Sequence, residues 1–392
     1  MSRNLVLSCL SGTSRDGLDI GLCRILQLDT IPGRERFSVE LLKTATVAFP
    51  PDLSATLSAL CFSETAGVPA MMAAHTETGR FIGSALCAFM KAHHIEANEL
   101  LCIASHGQTL FHQAQTSPRH PAHTLQIGEA DFISRMTGVP VAADFRQAHI
   151  AAGGEGAPLA PILDYYAYRP AKAQAPRVLI NLGGIANMTL LRPGDALSSV
   201  SYGDTGPANS ILDEAVQRFS SVPGTPYDAG GRLASSGKVH QKWLALLCAH
   251  PFFSQALPKS TGPEVFHLGW ALSVAEGAGI AWQRMPLRDM LATLGELSAF
   301  TLAKGVRQAL GEQRRFEAYG SGGGMRNLFL TRRIGHHLGL SGALPGIEEL
   351  GDSADFKEVA LFGLLGFFRH QRFRLPLFSR QRPVLLGKLS EA

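Results

Sequence analysis

The sequence predicts an α/β protein built as two domains. Its 392 residues exceed one typical domain. Short apolar strands alternate with amphipathic helical stretches. Glycine-rich turns follow strand ends near positions 12, 184 and 323.

The strand candidates, in order, are Leu5–Leu10, Leu101–Ser105, Thr124–Ile127, Val139–Ala143, Val178–Leu182 and Glu317–Tyr319. Each is a short run rich in aliphatic or β-branched residues bounded by turn formers. The helix candidates cover about 68–94, 208–220, 240–249, 287–310 and 355–370. In the fourth, Leu287, Leu291, Leu294, Leu302, Val306 and Leu310 recur on one face, and Pro286 suits its first turn. No internal repeat or low-complexity linker divides the chain.

Composition narrows the function. Hydrophobic residues make up 45% and charged residues 17%, which is a globular balance. No apolar run approaches the roughly 18 residues of a membrane span. Leu5–Leu10 is shorter than the roughly 7–15 apolar residues of a signal-peptide core, so a buried first strand is expected. The six cysteines (Cys9, Cys23, Cys61, Cys87, Cys102 and Cys248) form no CxxC pair. Buried free thiols of a cytoplasmic protein are expected. The net charge is +4, and its densest basic stretch, Arg369–Arg382, reads as a solvated helix end. No nucleic-acid module accompanies it. No nucleic-acid partner and no membrane partner are expected, and a small-molecule substrate is.

In α/β proteins ligands collect where strand ends meet loops, so the polar turns there carry the chemical argument. The first is Gly12-Thr13-Ser14-Arg15-Asp16-Gly17-Leu18-Asp19, after Leu5–Leu10. Glycines let backbone approach a phosphate, hydroxyls and N–H groups bind its oxygens, and Asp16 can place Mg²⁺. It is not the GxxxxGK[ST] loop, because no Lys follows the glycine. Asp16-Gly17 equally signals a plain hairpin. The second turn, Gly183-Gly184 with Asn187, follows another strand and reads as a phosphate loop or a tight turn. The third, Gly322-Gly323-Gly324 with Asn327, offers a flat surface for an adenine ring or is a flexible loop. Three such turns together match an ATP cleft between two domains.

Asp204 lies in Gly203-Asp204-Thr205-Gly206-Pro207, read as a turn before a helix. As an isolated Asp-Thr-Gly it is a helix cap. Among phosphate-type loops it is the carboxylate that a kinase of hydroxyl groups requires, with Gly206 on the nucleotide side. A substrate side is expected from His106, Thr109, Gln126, Asp144, Arg146 and Glu358, whose groups can read sugar hydroxyls or a carboxylate. For each, ordinary core or surface bonding is the competing assignment, and Glu358 can simply face solvent or a helix dipole.

Ordered along nearly the whole chain, these residues resemble the anhydro-N-acetylmuramic acid kinase family of actin-like sugar kinases. The matching segments include Ser105-His106-Gly107-Gln108-Thr109, Ala143-Asp144-Phe145-Arg146, Asn181-Leu182-Gly183-Gly184, Asp204-Thr205-Gly206-Pro207 and Pro258-Lys259-Ser260-Thr261-Gly262. The resemblance implies a two-domain actin-like (RNase H-like) fold with an interdomain ATP/sugar cleft. It divides the chain into 1–140, completed by about 371–392, and 141–370. ATP and Mg²⁺ are the implied cofactors, and a homodimer is compatible with it. The implied reaction phosphorylates O6 of 1,6-anhydro-N-acetylmuramic acid while water, activated by Asp204, opens the bridge at C1. The implied product is N-acetylmuramic acid 6-phosphate, an intermediate of cell-wall recycling. Three departures from the family pattern stand out, one of them in the final segment, which keeps Leu386-Gly387-Lys388 but lacks the usual Thr-Gly-Ala before it. His149 stands where the family usually has Asp, and Glu155 where it has Gln, which bears on sugar specificity. A kinase for another anhydro sugar such as levoglucosan, and an inert ATP- or sugar-binding regulator, are the competing readings.

Overall fold

The computed structural model describes every residue except 1–3, 13–16, 31–34, 62, 64, 114–121, 172, 223, 352–355, 378–381 and 392. The chain divides into two compact units, Met1–Ala167 with Ala196–Ser198 and Phe356–Ala392, and Tyr168–Asp195 with Ser199–Asp355.

The first unit opens with β1 (Leu5–Ser11), β2 (Gly17–Asp29) and β3 (Arg36–Ala48), followed by α1 (Pro51–Leu60) and α2 (Val68–Ala92). It continues through β4 (Leu100–Gln113), β5 (His123–Ile127), α3 (Ala130–Thr137), β6 (Val141–Ala143), α4 (Phe145–Ala151) and α5 (Ala160–Tyr168). β1 and β2 form an antiparallel hairpin with Leu10 opposite Asp19, while β4 runs parallel to β1. Leu7, Cys9, Leu18 and Ile20 of the hairpin are buried with Ile82 and Leu86 of α2, which covers one face of the sheet.

The second unit holds β7 (Arg177–Leu182), β8 (Ile185–Leu191), β9 (Ser201–Pro207), α6 (Asn209–Phe219) and α7 (Arg232–Ser235). Then come α8 (Gln241–Cys248), α9 (Leu268–Gly277), α10 (Leu287–Leu310), β10 (Glu317–Ser321) and α11 (Leu328–Leu338). Its sheet order is β10-β7-β8-β9, with β10 parallel to β7 and the other pairs antiparallel. The apolar stripe of α10 explains its place: Ala299, Leu302 and Val306 pack with Val178, Ile180 and Met188 of the sheet. Met290, Leu291 and Leu294 pack instead with Trp243 and Phe266.

The chain then returns to the first unit as α12 (Lys357–His370) and β11 (Lys388–Ser390), completing the sheet order β11-β6-β4-β1-β2-β3, with β5 on β4. α12 packs on β1, β2 and β4. Small residues permit that approach: a Cβ on Gly366 would stand 2.6 Å from Ala104 Cβ. The units divide after Ala167, not near 140, and 356–370 belongs with the first unit. The reason is hydrogen bonding and packing, since β6 pairs with β4 and α12 lies on the same sheet.

Several elements differ from the sequence expectation. β4 runs on to Gln113, so Ser105–Thr109 lies inside a strand rather than beyond one. β2, β3, β8 and β9 have no counterpart among the expected strands. β3 alternates poorly along its exposed half, and β9 is the glycine-rich Ser201-Tyr202-Gly203-Asp204-Thr205-Gly206-Pro207. Asp204 therefore sits in a strand, not in a turn before a helix. Pro207 is tolerated there because β9 closes one edge of its sheet.

Candidate active site

In the second unit, Gly183 and Gly184 form the tip of the β7–β8 hairpin, where Leu182 pairs with Ala186. The start of α6 fixes this tip. Asn209 Nδ2 donates to the Gly183 carbonyl at 2.8 Å, and Ser210 Oγ donates to the Gly184 carbonyl at 2.9 Å. The loop after β10 closes onto the same hairpin. Gly322, at φ +87°, lies so near that a Cβ would stand 2.6 Å from Asn181 Oδ1 and 2.9 Å from the Leu182 carbonyl. Glycine is needed there for both conformation and space.

These two glycine turns form part of the wall of a half-open pocket of about 450 Å³, whose lining includes Gly183, Gly184, Gly323, Gly324 and Asn327. Asn327 also caps α11, its Oδ1 accepting from Leu330 N–H at 3.1 Å. The sequence reading missed Asp213, Tyr227, Asp228 and Arg326 on the same wall. Asp213 stands four positions after Asn209 on α6, and that helical spacing was the available signal. Burial pushes its carboxyl up to about 6. Asn187 and Gly206 lie outside this lining. Asn187 pairs with Asp204 across β8 and β9, and Gly206 backs onto Phe253.

Asp204 is held by a loop more than fifty residues away. Thr261 N–H donates to its Oδ2 at 2.8 Å and Ser260 Oγ to the same oxygen at 3.0 Å. Asp204 N–H donates to the Lys259 carbonyl at 2.9 Å, which seats Pro258–Gly262 on β9. Gly203, at φ +150°, makes room: a Cβ would stand 2.8 Å from that same carbonyl oxygen. Burial raises the Asp204 carboxyl above its usual range, while Thr261 and Ser260 oppose the shift. Its Oδ1 accepts no hydrogen bond among the described residues. The carboxylate is thus anchored on one oxygen and open on the other.

In the first unit the polar residues gather around Arg146. Its Nε donates to His106 Nε2 at 2.9 Å and its Nη1 to the Gly156 carbonyl at 2.9 Å. His106 packs on Phe362 of α12, with ring centroids 4.4 Å apart. Burial drives the imidazole of His106 well below its ordinary range, and the Arg146 charge adds to that, so it is neutral. Glu358, in the first turn of α12, keeps contact with solvent, yet desolvation by the surrounding protein raises its carboxyl. Arg146 opposes that shift and Asp19 reinforces it. The neighbouring Lys357 is tied to Asp164 of α5 at 2.6 Å, which fixes the start of the helix.

The remaining expected residues have local work. Thr109 Oγ1 accepts from Gln126 Nε2 at 3.2 Å, joining β4 to β5. Asp144 precedes α4 in the left-handed region and pairs with Lys388 at 2.5 Å. In the first loop, Thr13, Ser14, Arg15 and Asp16 lie outside the described residues. Gly12 directly follows β1, Gly17 and Leu18 begin β2, and the Leu18 side chain is in the core. Asp19 Oδ1 accepts from Thr46 Oγ1 at 2.6 Å.

A family model described as anhydro-N-acetylmuramic acid kinase matches residues 4–379. The chain belongs to that family. Curated relatives bearing the same description agree over most of both chains. One from Pseudoalteromonas atlantica is 38% identical over 365 residues, covering 92% of this chain and 88% of its own. One from Gloeobacter violaceus is 35% identical, covering 94% and 93%. One from Xanthomonas oryzae is 39% identical, covering 88% and 83%. Among solved structures, the activator of 2-hydroxyisocaproyl-CoA dehydratase from Clostridium difficile aligns over 94% of this chain and 96% of its own. At 10% identity and a TM-score of 0.42 that likeness carries no argument. Family membership gives the Pro258–Gly262 segment a context: it is one of the segments that carried the resemblance, and it holds Asp204.

No group of three or more His, Cys, Asp or Glu side chains among the described residues could hold a metal ion. Mg²⁺ does not need one. It keeps several waters and takes one or two carboxylates besides substrate phosphates. Asp19, close enough to Glu358 for its charge to raise that carboxyl, is a hard-oxygen donor of the right kind.

Proposed function

We propose that this chain phosphorylates O6 of 1,6-anhydro-N-acetylmuramic acid with ATP while water opens the anhydro bridge at C1. The product is N-acetylmuramic acid 6-phosphate, formed in the recycling of cell-wall peptidoglycan. Membership of the kinase family across residues 4–379 is the observation that carries this reading.

Each unit contributes its own part. In the second, the cavity between the two glycine turns takes the nucleotide, with Gly183 and Gly184 toward its phosphates and Gly323 and Gly324 against its base. In the first, the Gly12–Asp19 loop binds phosphate oxygens and Asp19 or Asp16 holds Mg²⁺. When bound, Mg²⁺ neutralises charge on the phosphates during in-line transfer. Arg146 and Glu358 bind and orient the sugar, with His106 holding Arg146.

Asp204 accepts the proton of the water that attacks C1. The raised pKa makes its carboxylate a stronger base, and the free Oδ1 gives the water a lone pair. As the C1–O6 bond breaks, O6 takes the phosphoryl group and ADP leaves. The water oxygen ends on C1 and the proton on Asp204.

A coupled ADP-release assay with the anhydro-muramic sugar, with levoglucosan and without sugar tests the reading. The muramic sugar is expected to be preferred, and ¹⁸O from water should appear at C1 and not in the phosphate. No sugar-dependent ADP release would overturn it, and a preference for levoglucosan would reassign the substrate.

A further inference from the structure

His149 is not used by the proposed chemistry, although it is buried beside the sugar-side residues. We propose that His149 is a positioning residue: through Gly156 it fixes the guanidinium of Arg146. The inference rests on the reading of Arg146 as a substrate-side group.

The hydrogen bonds form one chain. Gly156 N–H donates to His149 Nδ1 at 2.8 Å. The Gly156 carbonyl, the other end of the same residue, accepts from Arg146 Nη1 at 2.9 Å. Arg146 Nε donates to His106 Nε2 at 2.9 Å, and His106 Nδ1 lies 3.2 Å from the Gly107 carbonyl. These bonds set both tautomers. His149 must leave Nδ1 unprotonated to accept from Gly156. His106 must leave Nε2 unprotonated to accept from Arg146, so its proton is on Nδ1 and points at Gly107.

The loop is shaped around the imidazole. Gly154 N–H donates to the His149 carbonyl at 3.0 Å, and Gly153 N–H to that of Ile150 at 2.8 Å. A Cβ on Gly154 would stand 2.4 Å from His149 Cε1, so the ring lies flat against the loop backbone. Gly156 has φ +79°, a conformation that aims its N–H and C=O at His149 and Arg146 respectively. Burial, with the Arg146 charge second, pushes the His149 imidazole down to about 4, against a smaller opposing effect of Glu155. His149 therefore stays neutral and able to accept under ordinary conditions.

The consequence is a guanidinium held at two points, on different sides of the group. Nε and Nη1 are committed to protein, and Nη2 makes no hydrogen bond among the described residues. That geometry presents the fixed Nη2 donors to an anionic or hydroxylated ligand, at low ordering cost on binding. His149 was expected from the sequence to alter sugar specificity through local charge. In this proposal its role is indirect, exerted through Gly156.

The test compares His149→Leu with His149→Asn, because the asparagine Oδ1 can still accept from Gly156 N–H. The leucine variant should lose kcat/KM by roughly 100-fold, the scale of a misplaced substrate-orienting group. The asparagine variant should stay within about fivefold, the scale of one altered neutral hydrogen bond. In an Arg146→Lys background, His149→Leu should add little further loss, because both changes act on one group. Additive losses, or equal activity of the two His149 variants, would overturn the proposal. A second readout needs no turnover. The NMR titration of His106 should move up in the leucine variant, as Arg146 drifts from it, and stay put in the asparagine variant. An unmoved His106 in both overturns the proposal. A wild-type chain without sugar-dependent turnover overturns only the kinase reading, and the His106 titration still decides this one.

Discussion

Thr261 N–H and Asp204 Oδ2 stand 2.8 Å apart, joining a loop to a strand fifty-seven residues earlier. This bond leaves Asp204 half-buried and anchored by one oxygen. Asp204→Asn should lower kcat by about 10²–10⁴, the range expected for loss of a positioned base. ATP affinity, measured by calorimetry, should be unchanged because the cavity lining does not include Asp204. Near wild-type turnover would remove Asp204 from the mechanism.

Asp213 makes a pH-dependent stability prediction. Its carboxyl shifts from 3.8 in the reference state to about 6 in the fold, because burial disfavours its charge. A raised carboxyl pKa means the folded state binds the proton more tightly. The penalty for ionising is absent below about pH 4 and complete above about pH 6. Asp213→Asn should therefore stabilise the second unit by roughly 1–2 kcal/mol at pH 8, discounted for partial exposure, and by nothing at pH 4. Urea titrations at the two pH values would show it. A gain that is equal at both would assign the effect to packing.

Glu296 of α10 makes the opposite kind of prediction. Arg333 Nε and Nη2 donate to its two oxygens at 2.6 and 2.7 Å, and His337 Nε2 lies 2.8 Å from Oε1. Burial alone would raise this carboxyl, but the hydrogen bonds from Arg333 and His337 outweigh it and hold it low. Its stabilisation is present above the reference pKa of 4.5 and is lost as pH falls through the depressed value. Glu296→Gln should cost roughly 1–3 kcal/mol at pH 7, with the gap to wild type closing in acid. A gap that is constant with pH would show that the charge is not what joins α10 to α11.

Gly366 tests the seat of α12. A methyl there would press on Ala104 Cβ at 2.6 Å and on Val6. Overpacking of this kind costs about 1–3 kcal/mol, so Gly366→Ala should lower the unfolding midpoint of the first unit. Because Glu358 and Phe362 ride on the same helix, sugar-dependent turnover should fall more than the nucleotide affinity of the second unit. An unchanged midpoint would mean that the helix has room to shift.

The alternation of strands and helices, the long stripe of α10 and the two glycine turns of the second unit are local patterns, and all were legible in the sequence. The ordered motifs were enough to suggest the family. The polar strands were not legible. β9 holds two glycines, an aspartate and a proline, which individually favour turns, and it is a strand because β8 supplies its ladder. The positions of the site residues depended still more on tertiary contacts. Arg146 meets His106 across forty residues, and Asp204 meets Ser260 across fifty-six. Asp204, Arg146 and Glu358 became candidates through the ordered motifs around them, not through residue type alone. Which oxygen of Asp204 is free, which nitrogens of Arg146 are held, and which of two histidines bonds to it directly were decided only by folding. Hydrogen-bond direction and desolvation depend on neighbours that the linear order keeps far apart.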